Sequence, residues 1–139
     1  MFELDAQLKA DTVSLGNMAL CEVLLAKDAN YPWLILVPRR EKITEIYQLS
    51  AQEQLLLMQE VSFVAKQMET HFLAHKMNVA ALGNVVSQLH MHVIARFDHD
   101  KAWPAPVWGN VATQAYAEEE LEATVNSLKA LLHEQFVEV

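Results

Sequence analysis

The chain of 139 residues predicts an α+β domain: a mostly antiparallel sheet of about five strands packed with two longer helices. Two long stretches carry helical apolar spacing, and several short apolar runs bounded by turn residues read as strands. No internal repeat and no Gly/Ser/Pro-rich linker divides the chain, so one domain over residues 1–139 is expected. An apolar fraction of 53% is enough to fold such a domain without disulfide or metal staples.

Taken in order, residues 2–10 read as a short helix. Leu20–Ala26 and Trp33–Val37 follow as strands, joined by the turn-rich Lys27-Asp28-Ala29-Asn30-Tyr31-Pro32. Pro38, which has no N–H to give a ladder, is well placed to end the second. Ser50-Ala51-Gln52-Glu53 is a capping-box pattern, in which the hydroxyl caps an amide three residues on and the carboxylate reaches back. Behind it Leu57, Val61, Val64, Met68 and Phe72 mark one face of a helix over 51–74. Residues 78–82 and 89–97 predict a hairpin around Gly83-Asn84. Leu121, Val125, Leu128 and Leu132 then mark a second long helix, about 115–135. Glu118, Glu119 and Glu120 at its start and Lys129 and His133 at its end complement the helix dipole. Met58, Met68 and Met77 read as core filler. The loop Trp103–Gly109 reads either as a rigid loop with partly buried aromatics or as cover for a base or a subunit edge.

Composition narrows the function. A net charge of −8 would repel an extended phosphate backbone, so no nucleic-acid partner is expected. Arg39, Arg40 and Lys42 form a local basic cluster, with Lys76, Arg96 and Lys101 scattered, and a small anion remains a possible ligand. The competing reading is that these side chains provide solubility. The single cysteine, Cys21, allows no internal disulfide and suits a reducing compartment. Met1-Phe2-Glu3-Leu4-Asp5 lacks the basic and apolar regions of a secretory signal. Trp33–Val37 is far shorter than the roughly 20 residues of a membrane span. A soluble, cytoplasmic protein without a membrane partner is expected.

The chemistry concentrates in Gln88-Leu89-His90-Met91-His92-Val93-Ile94. A strand sends alternate side chains to opposite faces. Leu89, Met91 and Val93 then bury on one side, while Gln88, His90 and His92 line the other, about 7 Å apart. A helix would splay the two imidazoles by roughly 200°. Two chemistries compete for the pair. As metal ligands they need partners, for which Asp98, His99, His71 and His75 are available, but His71 and His75 lack the intervening Glu of a zinc-protease helix. Alternatively one imidazole is a nucleophile and the other assists, a pairing suited to phosphoryl and nucleotidyl transfer. Backbone amides at Gly83 and Asn84, and the Asn78 side chain, could then meet a phosphate.

The segment from Asn78 to Arg96 resembles the signature of the histidine triad (HIT) family, His-φ-His-φ-His-φ-φ with φ apolar, preceded by an Asn and a Gly-polar pair. The resemblance extends through Asp28, the Trp33–Pro38 strand and the long helix, over roughly residues 15–100, and is nearest to bacterial dinucleoside polyphosphate hydrolases. It implies a HIT-like domain that cleaves a nucleotide at the α-phosphorus through a covalent nucleotidyl-histidine. His90 matches the nucleophile, His92 the residue that bonds phosphate oxygens, Asp28 the holder of the ribose hydroxyls, and Asn78 and Gly83 positions close to the phosphate. It further implies a nucleotide as partner, no cofactor and no metal, and a homodimer. The first histidine of the triad is Gln88 here, which can donate and accept hydrogen bonds but exchanges no proton. Restoring histidine at position 88 is expected to preserve or raise activity. Val85 stands where relatives often carry a hydroxyl, and Ala95 where they often carry Pro. Two other readings stay open: a nucleotide-binding regulatory module with little turnover, and a metalloenzyme using His90 and His92.

Overall fold

Period-two alternation along the strands decides what covers each face of the sheet. The computed structural model describes residues 1–138. Its five strands are β1 (Thr12–Asn17), β2 (Cys21–Ala26), β3 (Trp33–Pro38), β4 (Lys76–Ala80) and β5 (Met91–Arg96). They lie in the order β1-β2-β3-β5-β4 and every neighbouring pair is antiparallel. Three helices accompany them: α1 (Ala6–Asp11), α2 (Ala51–Phe72) and α3 (Glu118–Leu132). This is the expected α+β architecture, with α2 and α3 the two longer helices.

The capping box at the start of α2 forms as read: the Ser50 hydroxyl accepts from the Glu53 amide, and the Glu53 carboxylate accepts from the Ser50 amide. The helix stops at Leu73, whose φ of 54° is left-handed. Leu57, Val61, Val64 and Met68 bury against Val23, Leu25, Leu34 and Leu36 of the sheet and Met91, Val93 and Ala95 of β5. Leu128 and Leu132 of α3 close the same core. Glu60 interrupts this apolar face, yet its carboxylate accepts from the backbone amides of Leu20 and Cys21 at 2.8 and 2.9 Å. Those charge-assisted bonds offset its desolvation and fix the start of β2.

Several boundaries differ from expectation. β1 is a strand that residue pattern did not place, because a bulge between Ser14 and Gly16 breaks its alternation. The first helix starts at Ala6 rather than Phe2, capped by the Asp5 side chain. β4 begins two residues early, at Lys76, and β5 begins at Met91 rather than Leu89. The hairpin is therefore closed by a ten-residue loop, 81–90, rather than by a tight turn at Gly83-Asn84. Met68 is core as expected, but Met58 is exposed, on the outer side of α2.

The second face of the sheet carries Leu24, Ala26, Ile35 and Val37, covered by Leu8 of α1 with Phe2 and Leu4. Next to them Ile94 packs with Tyr31, Ala102 and Val107 of the loop after β5. Arg96, only 1% exposed, organises that loop. Its guanidinium grips both oxygens of Asp100, the Ala105 carbonyl and the Asn78 side-chain carbonyl. Arg96 is thus spent on structure. Arg40 pairs with Glu53, and Arg39 donates to the carbonyls of Met18 and Ala19, so both arginines of the basic cluster are engaged within the fold.

Candidate active site

Loop 81–90 delivers His90 to the second face one residue before β5 begins, and β5 delivers His92 to the same face. Both rings are buried, with centroids 4.8 Å apart. His92 lies opposite Ile35 of β3 in the antiparallel register. Met91 and Val93, one residue out of phase, enter the core beneath α2. The alternation read from the sequence therefore holds from Leu89 to Ile94, although Leu89 and His90 are not themselves in the ladder.

The two imidazoles differ in their hydrogen bonds. Nδ1 of His90 lies 2.6 Å from the backbone carbonyl of Gln88. A carbonyl only accepts, so this nitrogen carries the proton and Nε2 is left with the lone pair. His92 has no free nitrogen. The Trp33 indole N–H donates to its Nδ1 at 3.1 Å, and its Nε2–H donates to the Leu82 carbonyl at 2.8 Å. Burial, aided by the neighbouring His90, pushes the His92 pKa from 6.5 down to about 4, against the opposing pull of the Leu82 carbonyl. His92 is neutral at pH 7. The rings of Trp33 and Trp108 flank it, with centroids 5.7 and 5.0 Å away.

A cavity of about 470 Å³ opens here, lined by His90, His92, Asp28, Trp33, Trp108 and residues of α1. Gly83, Asn84, Val85 and Val86 form another of its walls. Asp28 is buried; its Oδ1 accepts from the amides of Asn30 and Gln114, and Oδ2 takes no hydrogen bond from the described residues. A second cavity of about 640 Å³ adjoins, lined by Thr44, Glu45, Tyr47, Gln54, Ser87 and Gln88. The two share Gly83, Asn84 and His90, so the His90 ring stands where they meet. Gly83 is glycine for steric reasons: a Cβ there would come within 2.5 Å of the Val86 carbonyl and 3.0 Å of the His90 ring.

Five of the seven expected site residues come together here: His90, His92, Asp28, Gly83 and Asn84. Two do not join as read. Asn78 lines neither cavity and is bonded to Arg96 instead. The Gln88 side chain turns to the N-terminal segment, accepting from the Asp5 amide and donating to the Glu3 carbonyl. Only its backbone carbonyl serves His90. Trp33 and the Leu82 carbonyl were missed, since their placement depends on contacts distant in sequence. Trp108 of the Trp103–Gly109 loop lines the first cavity beside His92.

The alternative of a His90/His92 metal site finds no support in this donor set. Both nitrogens of His92 are engaged, and among the described residues no three His, Cys, Asp or Glu side chains converge on a point. His71, His75 and His99 are exposed and spread elsewhere on the molecule.

The HIT domain family profile matches residues 7–99, two thirds of the chain. The chain belongs to the histidine triad family. A histidine triad protein of Marinobacter aquaeolei VT8 is similar at 47% identity over 97% of this chain and 98% of that one, with a TM-score of 0.94. Another from Bradyrhizobium japonicum shares 42% identity over 98% of each chain, TM-score 0.89. At the level of fold alone, the diadenosine triphosphate hydrolase of Plasmodium falciparum matches with 17% identity and TM-score 0.65, over 99% of this chain and 84% of that one. No curated protein sequence matches. No helix among the described residues is long and apolar enough to cross a membrane.

Proposed function

We propose that this histidine triad protein is a nucleotide hydrolase or nucleotidyl transferase acting at an α-phosphorus through a covalent nucleotidyl-His90. The observation that carries the reading is the Nδ1–H of His90 held on the Gln88 carbonyl, which leaves Nε2 as a nucleophile between two cavities. Attack forms an N–P bond and develops positive charge on the ring, which the same carbonyl stabilises. The bond to the leaving group breaks, and that group takes its proton from water. A second water then attacks phosphorus, releases a nucleoside monophosphate and returns the lone pair to His90.

In this reading the 470 Å³ cavity takes the nucleoside. The open Oδ2 of Asp28 accepts from ribose hydroxyls, and Trp33 and Trp108 offer faces to a base. The amides of Gly83 and Asn84 meet the phosphate. His92 works as a neutral brace that fixes the indole and loop 81–90, rather than as a donor to phosphate oxygens. The leaving group occupies the cavity beside Ser87 and Gln88. Dinucleoside polyphosphates and nucleoside phosphoramidates both fit this chemistry, and the Plasmodium relative's name favours the former. The lining charges favour the latter. Asp11, Asp28 and Glu45 are opposed only by Lys27, a poor setting for a polyphosphate chain and a good one for an amine leaving group. With adenosine 5′-phosphoramidate and a diadenosine polyphosphate as substrates, turnover is expected, faster for the phosphoramidate. His90→Ala should lower it at least about a thousandfold while nucleotide still binds. Equal turnover by His90→Ala would sink the mechanism.

One observation favours a regulatory module instead: neither Gln88 nor neutral His92 can hand a proton to a leaving group. Nucleotide binding without turnover of either substrate would establish that reading. We further propose a cytoplasmic homodimer of one HIT-type domain over residues 1–139. Among the described residues the outer edge of β4 is unpaired, and Val79 on that strand and Leu55 and Met58 on α2 are exposed. Light scattering at micromolar concentration should return twice the 15.7 kDa chain mass; a single chain mass would refute the dimer.

A further inference from the structure

We propose that Gln88 is a positioning residue that latches the N-terminal strap, residues 3–11, onto the histidine loop and so sets the affinity of the nucleoside cavity. The inference rests on the proposed nucleotide site and names what completes it.

The strap forms one wall of that cavity, through Gln7, Leu8 and Asp11. Phe2, Leu4 and Leu8 hold it to the sheet by apolar contact, and its C-terminal end is tied by the Lys27 amide and ammonium, which donate to the Asp11 and Ala10 carbonyls. Its N-terminal end is fixed by the Gln88 amide. Its Oε1 accepts from the Asp5 N–H at 2.9 Å and its Nε2 donates to the Glu3 carbonyl at 2.8 Å. Among the described residues these are the only hydrogen bonds between the strap and loop 81–90. Asp5 is also the N-cap of α1, its carboxylate accepting from the amides of Gln7 and Leu8. The latch therefore grips the residue at which α1 begins, and α1 carries the cavity wall.

An amide suits this task because it presents a donor and an acceptor side by side, matching a backbone N–H and C=O. An imidazole directs its two nitrogens apart and cannot make both bonds. This reverses the expectation for Gln88→His, which would break the latch rather than restore a triad.

The test uses the full chain, with adenosine monophosphate as binding probe. Gln88→Met conserves volume and removes both bonds; Gln88→Glu keeps the acceptor for the Asp5 amide. Gln88→Met is expected to weaken adenosine monophosphate binding about tenfold, raise KM similarly, change kcat less than threefold, and speed hydrogen exchange at the Asp5 amide about tenfold. Gln88→Glu should restore protection of Asp5 and part of the affinity, and Gln88→His should resemble Gln88→Met. Unchanged exchange and affinity in Gln88→Met would overturn the latch. So would a hundredfold fall in kcat at constant affinity, which would make the amide a participant in the chemistry. Binding of the probe by the unaltered protein tests the proposed function separately, because the Asp5 amide reports on the latch whether or not nucleotide binds.

Discussion

On one side of β5, Met91, Val93 and Ala95 lie under α2, in a core built from elements long enough to declare themselves by period. On the other side His92 and Ile94, continued by His90, meet loops, the short α1 and two tryptophans. The first side is redundant, with many apolar contacts of similar worth. The second is specific: Nδ1 of His90 and both nitrogens of His92 have one partner each, and Gly83 has no room for a methyl group. Changes on the helix side should therefore cost stability with little effect on chemistry, and changes on the site side the reverse.

The largest stability effect should come from the helix side. Met68 is fully buried between α2 and the sheet, so Met68→Ala should cost about 2–5 kcal/mol. Chemical denaturation would show it as a lowered midpoint, with kcat little changed at a temperature where the variant remains folded. A large loss of kcat in folded Met68→Ala would break the division between the two sides.

His92 sharpens the division, since it belongs to the site side yet should also register in stability. Its folded pKa of about 4 lies below the ordinary 6.5 because burial favours the neutral ring. Between those values the unfolded chain binds the proton and the folded chain does not. Stability should thus be full above pH 6.5, decline as pH falls towards 4, and level off below. The total is on the order of 3 kcal/mol. Denaturation of the wild type across that window, minus the same series for His92→Ala, isolates this part from the carboxylates. A flat difference would mean that His92 is not held neutral. Above pH 6.5, His92→Ala should cost a further 1–3 kcal/mol, because the Trp33 N–H and the Leu82 carbonyl lose their partner. Its rate should fall about a hundredfold as the brace is lost.

Legibility in the sequence follows the same line. The capping box, the Leu57–Phe72 stripe and the alternation from Leu89 to Ile94 are local patterns, and they located α2, the core and both histidines correctly. Strand β1 was hidden by its bulge at Gly16. The start of β5 was read two residues early because Leu89 and His90 keep strand alternation without a ladder partner. Asn78 looked like a phosphate contact by its place in a motif, but Arg96, eighteen residues on, captures its side chain. Gln88 looked like a weakened catalytic group, and its amide instead meets a segment more than eighty residues away. Spacing reports which face a side chain takes; it does not report what waits there from a distant part of the chain.

The central claim is that His90, through Nε2, becomes the covalent carrier of the nucleotide. Its most direct test is to mix the protein with a nucleotide radiolabelled at the α-phosphorus, quench rapidly without acid, and map the label. The account predicts label on His90 through a P–N bond that is stable in base and lost in acid, and none in His90→Ala. Product formation by the wild type with no label trapped on His90, or label on any other residue, would contradict it.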